Sequence, residues 1–482
     1  MVHLIQAATA TCRDKIYKAY LLNQRLWQPC ILFFLNCIIF WNVFPSFVYV
    51  DEFDLLYSQR FGSMQELFYR VFTSSCNYLL RPTYYFVFGI YYKLFNWNVA
   101  YCYILPFLAH FIAAMSVYYF LLRDENDSSF AAIGSILFLI YCGVWEPVGS
   151  IGGILYPMTA IFLLNAFICY FKRRYGCSFI LFALALFTHQ VSVLFVPLVL
   201  LYERVVNNKR FSMNSFNGLY ASSFLTAAYL FLDLSRKLFF HAAPLAGQYV
   251  MGPHFIWNEM NYIATLFIPV ITSYRMHAIF PGVMITAIDL VKLVVACLSP
   301  FGVLAVFFYG SNKAKYFMIW ILLTLLPFTF FITPPVSRYL YIPSIGYAAG
   351  VALFIDHLLR KDRYKKIGAI IFILLFIVNL GGMFVYQKLF YNKKEIRREI
   401  YNDIRDLKSM FHPKERLCFV DLPIRDDEIK DMIYLVLKSE DFFILTVNAD
   451  NVFCKQTFDP AIKKKYDRVF YYDCKGKKLK VL

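Results

Sequence analysis

Hydrophobic and polar positions alternate along this chain by whole segments, not by single turns. Runs of about 20 apolar residues, the length that carries a helix across a ~30 Å hydrocarbon layer, recur through most of its length. They fall at about 29–50, 99–122, 130–148, 154–171, 178–202, 215–233, 288–310, 315–333, 339–359 and 367–387. Between them lie short polar connectors. Past residue 388 the pattern changes to mixed and charged.

The connectors fix the sidedness that the sequence predicts. Arg173 and Arg174 form one basic group, and Arg204, Lys209 and Arg210 another. Lys313 with Lys315, and Arg360, Lys361, Arg363, Lys365 and Lys366, form two more. Basic loops face the cytoplasm. Arg13, Lys15, Lys18 and Arg25 place the N-terminus on that side too. The first run is too long for a signal-peptide core and is expected to stay as an anchor. The 178–202 run is the exception, because both of its flanks are basic. Two short helices turning at Thr188-His189-Gln190 satisfy both flanks, provided neighbouring helices shelter them. The expected count is then about eleven crossings, with the C-terminus outside.

The expected fold is an all-α polytopic membrane protein with a small C-terminal α/β extracytoplasmic domain. Its parts are a cytoplasmic 1–28, a transmembrane 29–387 and a soluble 388–482. Residues 51–98 and 234–287 form large outer loops, the first with an interfacial aromatic helix over 84–95. In the soluble part, 416–422, 442–447 and 467–472 read as strands and 427–438 as a helix.

Composition agrees. The chain is 60% hydrophobic and 16% charged over 482 residues. That is far from the balance of a soluble protein. Most of its net charge of +17 is explained by cytoplasmic loops, so no nucleic-acid partner is expected. The 12 cysteines are scattered, with no paired spacing that would hold zinc. No phosphate-binding glycine loop follows a strand, so no cytoplasmic nucleotide site is expected.

Candidate chemistry lies on the outer side. Asp51 and Glu52, with Asp54 beside them, emerge directly after the first run. Adjacent carboxylates repel and a membrane surface desolvates them, which favours a general base. Arg81 stands before a proline that opens a helix. Arg338 lies at the outer end of a span, where a guanidinium can grip a lipid phosphate with two hydrogen bonds. Glu146 and His189 sit at the ends of spans, and Arg275 lies in the second outer loop.

These motifs resemble the GT-C superfamily of membrane glycosyltransferases that use polyprenyl-phosphate sugars. Asp51-Glu52 is similar to the acidic motif of protein O-mannosyltransferases. Arg81-Pro82-Thr83 resembles the "RPL" motif of their transmembrane, tetratricopeptide-repeat relatives. Arg338-Tyr339-Leu340-Tyr341-Ile342-Pro343-Ser344 resembles their "RYLYLPS" segment. Glu146-Pro147-Val148 and Gly152-Gly153 fall where those proteins have their second outer loop. The resemblance covers about 29–360. It departs at Thr188-His189-Gln190, where Lys-Glu is usual, and in lacking the repeats.

The resemblance implies an inverting transfer from a polyprenyl-phosphate sugar to a protein or glycan hydroxyl at the outer surface of a bacterial inner membrane or of the endoplasmic reticulum. Asp51 would be the base, with Glu52 tuning it. Arg338, Arg275 and His189 would hold the departing phosphate, with Arg81 and Glu146 as further substrate contacts. No cofactor or metal is expected. A ligase or polymerase of lipid-linked glycans, and a transporter or flippase of lipid-linked sugars, are the alternative readings.

Overall fold

The computed structural model describes residues 27–41, 63–77, 80–95, 99–123, 128–209, 218–239, 250, 252–268, 287–331, 337–407, 417–420, 452–455, 468–473 and 478–481. Asp51, Glu52, Asp54 and Arg275 lie outside these residues, as do the expected helix 427–438 and strand 442–447. The first helices are α1 (Trp27–Phe40), α2 (Met64–Asn77), α3 (Pro82–Phe95), α4 (Val99–Cys102) and α5 (Ile104–Leu122). Next come α6 (Ser128–Ile140), α7 (Trp145–Gly149), α8 (Leu155–Phe171), α9 (Tyr175–Leu186), α10 (Phe195–Val205) and α11 (Tyr220–Phe239). The rest are α12 (His254–Phe267), α13 (Ala287–Tyr309), α14 (Asn312–Thr329), α15 (Pro343–Leu359) and α16 (Lys365–Asp406).

Among the described residues four helical stretches are long and apolar enough to cross a bilayer: Ile104–Leu122, Gly152–Phe171, Leu290–Tyr309 and Lys365–Lys388. The bent pair Ser128–Ile140 and Cys142–Gly149 makes a fifth, and α1, α9 and α15 are shorter apolar helices. Repeated spans of this kind make the chain a multi-pass membrane protein.

The bundle core is a ring: α8 packs on α5, α5 on α6, α6 on α15, α15 on α14, and α14 on α10, which returns to α8. Lipid is as apolar as a leucine side chain, so apolar burial alone gives helices little reason to associate there. Close approach and hydrogen bonds do that instead. A Cβ on Gly134 would lie 2.4 Å from Leu121 Cδ1 and 3.5 Å from Ala352 Cβ, so the close approach of α6 to α5 and α15 uses a glycine. A Cβ on Gly346 would stand 2.9 Å from the Phe317 carbonyl oxygen, where α15 meets α14. The Gln28 amide donates to Ser135 Oγ (3.1 Å) and the Asn36 amide to the Phe107 carbonyl (3.1 Å), tying α1 to α6 and α5.

The 178–202 run is two helices, broken where the sequence predicts. The ring of Tyr175, which opens α9, lies 5.7 Å from Tyr170, and that of Tyr202 in α10 lies 4.8 Å from Phe171. The apex residue His189 lies 5.4 Å from Tyr156, at the opposite end of α8. The segment therefore runs up α8 and back down. Its halves, α9 and α10, have 12 and 11 residues respectively. At a helical rise of about 1.5 Å per residue, each reaches only roughly 17 Å. Packing against α8 and α14 shelters them, as lipid requires.

The expected single span at 130–148 differs. It breaks at Tyr141, whose backbone is extended (φ −58°, ψ 115°), and its two parts bend by 51°. Asn379 Oδ1 on α16 accepts the Cys142 N–H at 3.2 Å. An amide at the break is thus satisfied from a neighbouring helix. The bend turns α7, with Trp145, Glu146 and Pro147, away from the α6 axis.

The segment 234–287, expected as an outer loop, contains α12. This helix docks through Asn258, whose amide donates to the carbonyls of Thr329 and Phe331, both at 2.8 Å. Next to it the Glu259 carboxyl is buried with neither oxygen hydrogen-bonded among the described residues, and burial pushes its pKa up to about 8.

α16 is 42 residues long. At a rise of about 1.5 Å per residue it extends roughly 63 Å. Its first part is apolar and its end is charged. The end meets a four-stranded sheet of β1 (Leu417–Val420), β2 (Val452–Lys455), β3 (Arg468–Asp473) and β4 (Lys478–Val481), in the order β2-β1-β3-β4. β1 runs parallel to β2 and β3, and β4 antiparallel to β3. Ile400 and Ile404 of α16 are buried in one cluster with Phe419, Phe470 and Leu479, and Asp403 accepts the Leu479 N–H at 2.7 Å. β1 and β3 fall on expected strands. β2 and β4 do not, because such short segments of mixed polarity carry little periodic signal.

Candidate active site

Three segments meet at the end of the bundle that holds the hairpin apex. The first is the start of α3. Pro82 sits at the first helical position, where its missing N–H costs nothing. The Thr83 N–H donates to the Phe187 carbonyl (3.1 Å), and the Tyr84 hydroxyl to the Gly152 carbonyl (3.3 Å). α3 is thereby stitched to both the apex and the start of α8.

The apex supplies the second set. Arg81 Nε and Nη2 both donate to Gln190 Oε1, at 3.2 and 2.8 Å. Gln190 is neutral, and no carboxylate pairs with Arg81 among the described residues, so the guanidinium keeps its charge for an anion. His189 Nδ1 accepts the Val191 N–H at 3.1 Å. A neutral ring must then carry its proton on Nε2. His189 is 1% exposed, and its Nε2 has no acceptor among the described residues.

The third set is α7 with the 3-10 turn Ser337–Leu340. Glu146 Oε2 accepts the Ser337 hydroxyl at 2.5 Å and the Arg338 backbone N–H at 3.1 Å. Glu146 Oε1 lies 3.9 Å from Arg338 Nη1. The Arg338 side chain is 40% exposed and passes over the ring of Tyr339, which stacks on Phe328 at 4.4 Å. Below it the Tyr341 hydroxyl meets His110 Nδ1 at 2.7 Å, while His110 Nε2 meets the Leu139 carbonyl at 3.2 Å. A carbonyl can only accept, so Nε2 carries the proton and Tyr341 donates to Nδ1. The Trp320 indole N–H donates to the Ile342 carbonyl (3.0 Å), and Ser344 Oγ to that of Tyr341 (2.7 Å). The turn is held from both sides.

Tyr156 joins the sets. Its ring lies 5.4 Å from His189 and 6.4 Å from Tyr341, and the charges of Arg338, Arg81 and Glu146 all act on its hydroxyl. That hydroxyl has no hydrogen-bond partner among the described residues. Two guanidinium groups thus stand near the buried side chains of Tyr156 and His189, an arrangement suited to an anion.

Arg81, His189, Glu146 and Arg338, all expected from the sequence, meet in this region. Asp51, Glu52 and Arg275 lie outside the described residues. Sequence reasoning missed Gln190, Ser337 and Tyr156 as members of the site. Gln190 could have been found as the neighbour of His189 at the apex. Tyr156 carries no signal that singles it out in a chain with 37 tyrosines.

No family model and no curated protein sequence matches the chain. Solved structures do. ArnT from Cupriavidus metallidurans, bound to undecaprenyl phosphate, shares the fold with a TM-score of 0.51 at 13% identity, over 92% of this chain and 93% of that one. The archaeal oligosaccharyltransferase AglB from Archaeoglobus fulgidus, in complex with an inhibitory peptide and a dolichol-phosphate, aligns with a TM-score of 0.47 at 11% identity, over 86% of this chain and 64% of that one. The likeness to ArnT runs end to end and shows a shared fold.

Proposed function

We propose that this chain is an inverting glycosyltransferase that moves a sugar from a polyprenyl-phosphate donor to a hydroxyl of a protein or glycan at the outer membrane surface. One observation carries the reading: the charges of Arg81 and Arg338 both act on the hydroxyl of the buried Tyr156, whose ring lies 5.4 Å from His189. Such a cradle matches the phosphate of a lipid-linked sugar. Arg275 is a further candidate for it.

In this scheme Asp51 takes the proton of the acceptor hydroxyl, and Glu52 orients the acceptor or tunes Asp51. The acceptor oxygen attacks the anomeric carbon from the face opposite the leaving group. A new C–O bond forms, the bond to the phosphate oxygen breaks, and its electron pair stays on the phosphate. The guanidinium groups stabilise that charge, which is commonly a large part of catalysis. The GT-C fold supports a lipid-linked sugar as donor, and mannose, glucose and arabinose are the sugars to test.

The test uses purified protein in lipid nanodiscs, radiolabelled polyprenyl-phosphate sugars and an acceptor extract from the source cells. Wild type should transfer label from one donor. Asp51→Asn should lower the rate by about 10²–10⁴-fold, the usual worth of a general base. Transfer by Asp51→Asn at the wild-type rate would remove Asp51 as the base. Failure of the wild type to bind any polyprenyl phosphate would sink the reading as a whole. A product bearing a whole oligosaccharide would make the enzyme a ligase.

A further inference from the structure

The position of Glu146 poses a chemical conflict. A carboxylate beside a phosphate cradle repels the phosphate, so it cannot serve there as a phosphate ligand. Its hydrogen bonds show another use. Glu146 Oε2 accepts both the Ser337 hydroxyl and the Arg338 N–H, which pins the turn from which the Arg338 side chain departs. Glu146 Oε1 is 3.9 Å from Arg338 Nη1. That is too long for a hydrogen bond, so Glu146 reaches Arg338 through the turn rather than through its side chain.

Glu146 is placed to do this by the break at Tyr141, after which the short helix α7 lies against the turn. Its partners are 191 and 192 residues away in sequence, so the contact clamps two otherwise separate segments. A Cβ on Gly153 would lie 2.4 Å from the Pro147 carbonyl oxygen, which shows how tightly α7 is pressed on the start of α8. The carboxylate therefore rests on a rigid base.

We propose that Glu146 is a positioning residue: it holds the turn Ser337–Arg338 so that the Arg338 guanidinium meets the lipid phosphate, and it acts through Arg338 alone. This rests on the reading of Arg338 as a phosphate holder. The side chain works as an acceptor, so its charge is dispensable and its two hydrogen bonds are not.

The experiment is a double-mutant cycle read as the Kd for undecaprenyl phosphate, measured in nanodiscs at fixed salt, with melting temperature checking the fold of each variant. Arg338→Gln should weaken binding about tenfold, in the range of a charge-assisted contact to an anion. Glu146→Ala should weaken it by a similar factor, and Glu146→Gln, which still accepts hydrogen bonds, should stay within about threefold of wild type. Glu146→Ala in the Arg338→Gln background should add nothing. Ser337→Ala, which removes one of the two bonds, should fall between wild type and Glu146→Ala, and replaces it in the cycle if Glu146→Ala does not fold.

Losses that multiply in the double variant, with Arg338→Gln itself impaired, would overturn the positioning role and leave the phosphate reading standing. Glu146→Gln as weak as Glu146→Ala would do the same, because charge and not hydrogen bonding would then matter. Wild-type binding by Arg338→Gln would instead overturn the phosphate role of Arg338, and the positioning role with it.

Discussion

Two sets of apolar helices in this protein look alike in sequence and behave differently. The spans Ile104–Leu122 and Gly152–Phe171 are 61% and 72% buried within the protein, whereas Leu290–Tyr309 and Lys365–Lys388 are each 17% buried. The less buried pair is the more apolar. In water the most hydrophobic helix goes inside; in a bilayer lipid accepts it equally well, and the inside goes to helices that can interlock and hydrogen-bond. α5 carries His110 and Ser116, and α8 carries Thr159 and Asn165, all engaged in hydrogen bonds. The same inner helices lie beneath the candidate site. A precise site needs a scaffold whose rotamers are locked, and only the packed half offers one.

Substitutions can break or sharpen this contrast. The largest expected effect comes from Trp320, fully buried where α14 meets α5 and α8. Trp320→Ala should cost about 3–5 kcal/mol, by analogy with large-to-small changes in packed cores. Ile377 on α16 is 58% exposed. Ile377→Ala should cost under about 1 kcal/mol, since the methyl groups it removes meet lipid. Denaturant titration in detergent compares the two; equal costs would erase the distinction between inner and outer helices.

A smaller effect is expected at the polar contacts of the inner half. Tyr341 donates its hydroxyl proton to His110. Tyr341→Phe leaves a buried ring nitrogen without its partner, a loss of about 1–3 kcal/mol. It should also lower transfer activity, because the same turn carries Arg338. A melting temperature equal to wild type would show that this contact does not hold the turn.

A separate test is a pH slope. The Glu259 carboxyl has a pKa raised to about 8 in the folded protein against an ordinary 4.5. Between those values the native state binds more protons than the unfolded chain, so stability falls as pH rises through that window and levels above it. Glu259→Gln should flatten the decline in melting temperature from pH 5 to pH 8. An unchanged slope would assign the decline to other groups.

How much of this could be read in the chain follows from the range of each cause. The hairpin at 188–190 was readable, because basic flanks on both sides of one apolar run admit few other paths. The break at Tyr141 was not, because the apolar run continues through it and the compensating acceptor is Asn379 on a distant helix. Arg81, Glu146, His189 and Arg338 stood out as polar groups at the ends of spans. Their grouping could not be read: Arg81 meets Gln190 across 109 positions, and Glu146 meets Ser337 across 191.

The sequence by itself determined the membrane class, most of the helices and the identity of the charged candidates. Those depend on run length, on flanking charge and on the cost of exposing backbone to lipid, all of which act locally. Only the tertiary structure decided which helices face protein and which face lipid, which guanidinium receives a neutral partner, and that Glu146 turns to the Arg338 backbone. These depend on interlocking shapes and hydrogen bonds between segments far apart in the chain, and apolar periodicity carries no record of them.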